Sequence, residues 1–206
     1  MSVTTTLGII GYPISHSISP IFQQAAIDFV GKSDSYQSYE VSPSQLEEFM
    51  KIFRDGSMRG LNVTVPHKSE VMSYLDDIDD WAVKAGAVNT IVRNGNRLEG
   101  YNTDGYGFMQ GLYSHAQIDI KNSHVLILGA GGSARAVLLS LADANAKSIC
   151  IANRTLEKAE LLKESCFDNE LEIHAISLSN PLFLSHVKSA DVIVNCTTIG
   201  MKNTEG

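Results

Sequence analysis

Short apolar runs alternate with amphipathic helical patterns almost from end to end of this 206-residue chain. No other feature narrows the fold as much. Strands separated by helices run parallel and need helical cover on both faces, so the chain is expected to be α/β. In the first half, strands are expected over residues 7–11, 35–41, 60–65 and 88–92. The last of these turns through Asn94-Gly95-Asn96, a strong hairpin signal, into a further strand over 97–101. Helices are expected over 19–30 and 43–54, with shorter ones over 68–75 and 80–86. Pro20 stands at the opening position of the first, where its missing N–H costs nothing. The second half begins again after a helical stretch at 105–116 and a polar loop at 119–124. Strands follow at 125–128, 148–152, 171–176 and 190–195, with helices at 133–144 and 155–166. The boundary falls near residues 102–104, giving two domains, 1–103 and 104–206.

Composition excludes several classes. With 44% hydrophobic and 19% charged residues, the chain is of ordinary globular type and long enough to bury a sizeable core. The 16 Lys and Arg are outnumbered by 23 Asp and Glu, and the basic residues form no stripe, so no nucleic-acid partner is expected. The apolar runs are too short to span a bilayer, so no membrane role is expected. No Lys or Arg precedes the first apolar stretch, unlike a secretory signal. Cys150, Cys166 and Cys196 are odd in number and contain no CxxC, which reads as reduced, mostly buried thiols in a cytoplasmic protein. The histidines show no HxxxH or comparable spacing, so no metal is expected.

The most specific local pattern runs from Val125 to Ala136. A strand, Val125-Leu126-Ile127-Leu128, leads into Gly129-Ala130-Gly131-Gly132-Ser133-Ala134 and then a helix. Gly129, Gly131 and Ala134 fit G-x-G-x-x-A: one glycine for the tight turn, one for close approach of a pyrophosphate, and a small residue for helix–strand packing. The phosphates would lie on free N–H groups at the helix start. At the end of the following strand, where an NAD site carries Asp or Glu, the chain reads Asn153-Arg154-Thr155, with Lys158 one turn later. A guanidinium there suits a 2′-phosphate, so NADP is the expected cofactor. The alternative for Arg154 is a solvated residue at a helix start. The second half is therefore expected to be a Rossmann-type NADP-binding domain. It looks incomplete, because such a sheet usually has about six strands and only four are found before a polar end, 200–206.

Four polar segments of the first half stand at strand ends or helix starts, where α/β proteins hold ligands. One carries His16, Ser17 and Ser19 just before a helix whose N-terminus favours an anion; the plainer reading is that a serine caps the helix. Another carries Asn62 and Thr64, alternating with apolar residues on one face of a strand, and then Lys68. The others contain Asn89, and Asn102, Thr103 and Asp104. Each alone is equally turn chemistry or a solvated charge.

Taken in order, these segments resemble the shikimate dehydrogenase family. The resemblance runs through HSxSP at 16–20, NVTxPxK at 62–68, GAVNT at 86–90 and YNTDGxG at 101–107. It continues through GAGGxxRA at 129–136, NRT at 153–155 and NCTTxGM at 195–201. It implies an N-terminal α/β substrate-binding and catalytic domain with a mostly parallel open sheet, followed by the NADP domain. It implies hydride transfer between NADPH and 3-dehydroshikimate, giving shikimate in aromatic amino-acid (chorismate) biosynthesis. Ser17 and Ser19 would hold the substrate carboxylate, and Asn62, Thr64, Asn89, Thr103 and Asp104 its hydroxyls. Lys68 and Asp104 would form the catalytic pair. Gly129, Ala130, Gly131, Gly132, Ser133 and Ala134 would bind the cofactor together with Asn153, Arg154, Thr155, Lys158 and Thr197. A homodimer is the assembly to look for. Family members continue beyond this point to complete the sheet and return a helix that carries a substrate-contacting glutamine, so the chain is expected to be C-terminally truncated. Phe22-Gln23-Gln24 also departs from the Asn or His-Asn of many members.

The alternatives are a quinate or dual quinate/shikimate dehydrogenase, and a fragment that binds ligand without turnover. Quinate is bulkier at the carboxylate-bearing carbon, and retention of Ser19 and Thr103 favours shikimate.

Overall fold

The computed structural model describes residues 6–166 and 171–200. The chain divides into two compact units, Met1–Thr103 and Asp104–Gly206.

The first unit contains β1 (Thr6–Gly11), α1 (Ser19–Phe29), β2 (Ser35–Glu40), α2 (Leu46–Asp55), β3 (Gly60–Val63) and β4 (Asp77–Ile78). It continues with α3 (Asp80–Ala85), β5 (Thr90–Asn94) and β6 (Arg97–Tyr101). The strands form one sheet in the order β2-β1-β3-β5-β6-β4. β1 is parallel to both β2 and β3 and β4 is parallel to β6, while β3–β5 and β5–β6 are antiparallel. One face carries Ile10, Leu61, Val63, Ile91 and Leu98 against α2, whose Leu46, Met50 and Phe53 recur at i, i+4 and i+7 to make its apolar stripe. The opposite face carries Ile9 and Tyr36 against Ile27 of α1. α3 starts at Asp79, whose carboxylate accepts from the Trp81 N–H at 3.0 Å, and it ends at Gly86 in the left-handed region (φ 61°).

The second unit opens with α4 (Asp104–Gly111), which loosens into a π-type turn over Leu112–Ala116. Then come β7 (His124–Leu128), α5 (Gly132–Asp143), β8 (Ser148–Asn153), α6 (Leu156–Glu164), β9 (Glu172–Ser177), α7 (Phe183–Ser189) and β10 (Val192–Asn195). All pairings are parallel, in the order β10-β7-β8-β9. Both faces are covered, which explains the unbroken apolar runs of β7 and β8. Val125, Ile127, Ile149 and Ile151 pack with Leu138 and Leu141 of α5, while Leu126, Cys150 and Ile176 pack with Phe183 and Val187 of α7.

The α/β class with a mostly parallel first sheet stands. Several boundaries differ from expectation. β3 stops at Val63 because the chain turns at Pro66, and β5 starts only at Thr90, so Val88 and Asn89 lie in the preceding loop. The helix expected over 68–75 is a 3-10 segment, Glu70–Tyr74. The short β4 and the helix α7 are additions. Of the cysteines, only Cys150 is fully buried; Cys166 and Cys196 are partly exposed, because α6 ends beside the first and β10 is an edge strand beside the second. The polar end expected from residue 201 onward lies outside the described residues, as does Met201 of the last motif.

Candidate functional site

In the first unit the sheet register puts Ile9, Asn62, Thr90 and Tyr101 in one row across β1, β3, β5 and β6. Neighbours in a row point to the same face, so Asn62 and Thr90 share the α1-side face with Ile9. A continuous hydrogen-bond chain results. The Tyr36 hydroxyl donates to Asn62 Oδ1 at 2.7 Å. Asn62 Nδ2 donates to the Asn89 carbonyl at 3.3 Å and to Thr90 Oγ1 at 3.2 Å. Thr90 Oγ1 donates to Asn89 Oδ1 at 2.9 Å, which also accepts the Thr103 N–H at 3.0 Å. Asn89 Nδ2 donates to Thr103 Oγ1 at 2.9 Å. The structure thus brings together Asn62, Asn89 and Thr103. Sequence reading missed Tyr36 and Thr90 in this role.

Lys68 is half-buried, and its carbonyl accepts the Val88 N–H at 2.7 Å while the Ser69 hydroxyl donates to the Gly86 carbonyl at 2.9 Å. These bonds fasten the lysine loop to the segment that carries Asn89. His67 anchors the same loop from below: it is fully buried, with Nε2 2.6 Å from the Val41 carbonyl. Thr64 lies just past β3, and its methyl occupies the space beside Gly11, where an added Cβ would come within 2.5 Å. Neither Ser17 nor Ser19 caps α1. Ser17 Oγ instead accepts the Ser19 N–H at 3.3 Å, and the first turn of the helix carries no side-chain cap. The Ile21 and Phe22 N–H groups turn back to the Ile18 carbonyl at 3.0 and 3.4 Å, so the Ser19 hydroxyl takes no part in closing the helix start. Gln24, at the departure from the family pattern, ties α1 to β2: its Oε1 accepts the Tyr36 N–H at 2.8 Å. Asp104 is the first residue of α4 and belongs to the second unit.

In the second unit β7 ends in Gly129 at φ 101°, a left-handed conformation that disfavours any side chain. Its N–H donates to the Ala152 carbonyl at 2.9 Å. A Cβ at Gly129 would sit 3.1 Å from the Cys196 carbonyl carbon and oxygen and from the Thr197 methyl. At Gly131 and Gly132 an added Cβ would meet nothing within 4 Å, and α5 starts without a side-chain cap. Open space in front of uncapped N–H groups is what a pyrophosphate needs. Ala134 is buried where α5 crosses the sheet, as the third small position requires. Asn153, at the end of β8, donates from Nδ2 to the Thr155 carbonyl at 2.8 Å and shapes the loop that leaves Arg154 exposed, with Lys158 exposed one turn on. Thr197 is held by Asn195, whose Oδ1 accepts both its N–H at 3.0 Å and its hydroxyl at 2.6 Å. These donor types and this space fit a dinucleotide phosphate.

A separate cavity of about 220 Å³ lies at the amino ends of β7–β9, lined by His124, Ser148, His174 and His186. It is at the opposite end of the strands from Gly129, away from the carboxyl ends where such sheets hold ligands. Among the described residues no group of three or more His, Cys, Asp or Glu is placed to hold a metal, and no helix is long and apolar enough to cross a membrane.

Fold and site together define a two-unit α/β protein with a glycine-loop dinucleotide site and a hydrogen-bonded cluster of hydroxyl and amide side chains. Residues 9–91 match the model of the shikimate dehydrogenase substrate-binding domain, and residues 112–201 match that of shikimate / quinate 5-dehydrogenase. A shikimate dehydrogenase (NADP(+)) of Bacillus cereus is 41% identical over 194 residues, covering 94% of this chain and 69% of the relative. The structure of shikimate dehydrogenase from Aquifex aeolicus superposes with a TM-score of 0.88 at 36% identity, covering all of this chain and 73% of the other. That of the Thermus thermophilus enzyme in complex with NADP(H) and shikimate gives 0.82 at 32% identity, covering 94% and 69%. The chain belongs to the shikimate dehydrogenase family.

Proposed function

We propose that the protein is an NADP-dependent oxidoreductase that interconverts 3-dehydroshikimate and shikimate, with residues 1–103 holding the substrate and 104–206 the cofactor. The observation that carries this reading is the Asn62–Thr90–Asn89–Thr103 chain, a preset array of amides and hydroxyls within the segment that matches the substrate-binding model. A cyclic polyol acid offers the hydroxyls such an array recognises.

Ser17 and Ser19, at the start of α1, receive the substrate carboxylate through their hydroxyls, where the helix dipole favours an anion. Asn62, Thr64, Asn89 and Thr103 meet the ring hydroxyls. The phosphates lie on the 129–134 loop, and Arg154 with Lys158 faces the 2′-phosphate, with Thr197 beside the loop. When bound, NADPH supplies the hydride that reaches the ketone carbon. Charge then grows on the carbonyl oxygen, and Lys68 delivers a proton to it as general acid, so that C=O gains one hydride and one proton and becomes an alcohol. In the reverse direction the neutral amine takes that proton back. Asp104 orients the ammonium and the adjacent hydroxyl. The pathway, aromatic amino-acid biosynthesis, follows from this substrate pair.

The test is shikimate-dependent reduction of NADP by the purified chain, followed by nicotinamide absorbance, with NAD and quinate as comparators. Turnover with shikimate and NADP supports the reading. Faster turnover of quinate, or no turnover together with no shikimate binding by calorimetry, overturns it.

A further inference from the structure

We propose that Tyr36 is a positioning residue, whose hydroxyl fixes the amide orientation of Asn62 and, through it, the direction of the hydrogen-bond chain offered to substrate. The proposal rests on the reading of Asn62 as a substrate contact. Tyr36 is 8% exposed and packs among Ile9, Ile14, Leu7 and Ile27. Burial pushes its phenol up to about 12, so at neutral pH it keeps its proton and has one bond to give. That bond goes to Asn62 Oδ1 at 2.7 Å, and the backbone of Tyr36 is itself held by Gln24.

An amide side chain can be flipped with little change of shape, so its donors and acceptor are assigned by its neighbours. Two neighbours decide the case of Asn62. On one side the Asn89 carbonyl can only accept, so Nδ2 must face it. On the other, the buried Tyr36 hydroxyl supplies the donor that Oδ1 needs. The Asn62 amide then donates to Thr90 Oγ1, which leaves the Thr90 hydroxyl proton for Asn89 Oδ1. Asn89 in turn is oriented toward Thr103. The Asn62 amide is thus fixed from both ends, by the Tyr36 hydroxyl and the Asn89 carbonyl, and passes that order on to Thr90 and Asn89. Without the Tyr36 hydroxyl, Oδ1 of Asn62 loses that donor, and the chain loses its anchor at the Tyr36 end.

A lost hydrogen bond to a partly buried acceptor is worth roughly a 2- to 12-fold change in an equilibrium constant. Tyr36→Phe is therefore expected to weaken shikimate binding by about tenfold, read as Kd by calorimetry and as KM where turnover is measured. The kcat should stay within about twofold, because the loss is common to ground and transition states. NADP affinity should be unchanged. In an Asn62→Ala background, Tyr36→Phe should add nothing further. A ligand-free readout accompanies these: the side-chain NH2 signals of Asn62 and Asn89 in 15N–1H NMR spectra should both shift in Tyr36→Phe.

Multiplying effects in the double variant would make Tyr36 an ordinary core residue, as would an Asn89 side-chain signal that does not move. Unchanged shikimate binding in Tyr36→Phe, with a clear loss in Asn62→Ala, refutes the proposal alone. No loss in Asn62→Ala refutes instead the assignment of Asn62 to substrate, and the NMR readout still decides whether Tyr36 orients it.

Discussion

The glycine loop allows one pair of substitutions to separate fold from function. Gly129 has φ 101°, and an added Cβ would lie 3.1 Å from the main-chain carbonyl of Cys196 and from the Thr197 methyl. Holding a non-glycine residue in so sparsely populated a conformation costs of the order of 1–3 kcal/mol. The neighbours that must give way are mostly backbone at the end of β10, so Gly129→Ala belongs at the upper part of that range. For a unit of about a hundred residues, 2–3 kcal/mol lowers the unfolding midpoint by on the order of 10 °C. Gly131 is the contrast. Its backbone is extended (φ −99°, ψ −172°), and an added Cβ would meet nothing within 4 Å. In Gly131→Ala the reduced freedom of the unfolded chain, worth ~0.4–1 kcal/mol, roughly offsets the poorer cap that alanine makes, so the midpoint should barely move. NADP affinity should nevertheless fall at least tenfold, because the methyl occupies the space the pyrophosphate needs. Thermal denaturation and NADP titration of both variants check this. A stable Gly129→Ala would refute the strain argument, and a Gly131→Ala that binds NADP as tightly as the parent would refute the placement of the phosphates on this loop.

Lys68→Ala should lower kcat by about 10²–10⁴-fold with little change in NADP affinity, since the lysine supplies a proton in the transition state; steady-state rates and nucleotide titration check it. Arg154→Ala should weaken NADP binding much more than NAD binding, and equal weakening would remove the arginine from the 2′-phosphate. The phenol of Tyr36 ionises near 10.0 when unfolded and near 12 in the fold. Its contribution to stability is therefore complete below pH 10 and lost as pH rises from 10 to 12; Tyr36→Phe should flatten that part of the alkaline denaturation profile. Burial raises the Cys150 thiol to about 11, so at pH 8 only about one in a thousand is thiolate, and alkylation should spare Cys150 until the chain unfolds.

What could be read in the sequence was the chemistry of contiguous residues. The run from Val125 to Ala136 contains its own strand, turn and helix start, and the structure places each as the spacing implies. The hairpin at Asn94-Gly95-Asn96 and the apolar stripe of α2 are local in the same sense. The misses are elements whose cause is tertiary. β4 is two residues long and exists only because β6 offers an edge. α7 shows a thin pattern, with Phe183 and Val187 packed inward while Leu182 and Leu184 are exposed, so no apolar stripe announces it. Residues 70–74 have helical composition but wind as a 3-10 segment between the anchored lysine loop and the short β4.

The polar chain of the first unit marks the same divide more sharply. Residues 35–40 read Ser-Tyr-Gln-Ser-Tyr-Glu, and nothing in that string separates Tyr36 from Tyr39. Their surroundings do. Tyr36 is on the α1-side face and reaches Asn62 across β1, whereas Tyr39 faces the other way, tilted against Phe49 with ring centroids 5.6 Å apart. Tyr36 acquires a role only because β1 lies between β2 and β3, while on the other face Gly8 leaves room for the Tyr39 ring, which an added Cβ would meet at 2.6 Å. Strand order is a property of the whole sheet, set by burial of Ile10, Leu61, Val63 and Ile91 on its opposite face. The apolar core thus decides which polar side chains meet. Those that do meet satisfy one another before any ligand arrives, so the direction of each donor is set in advance and little ordering remains to be done on binding.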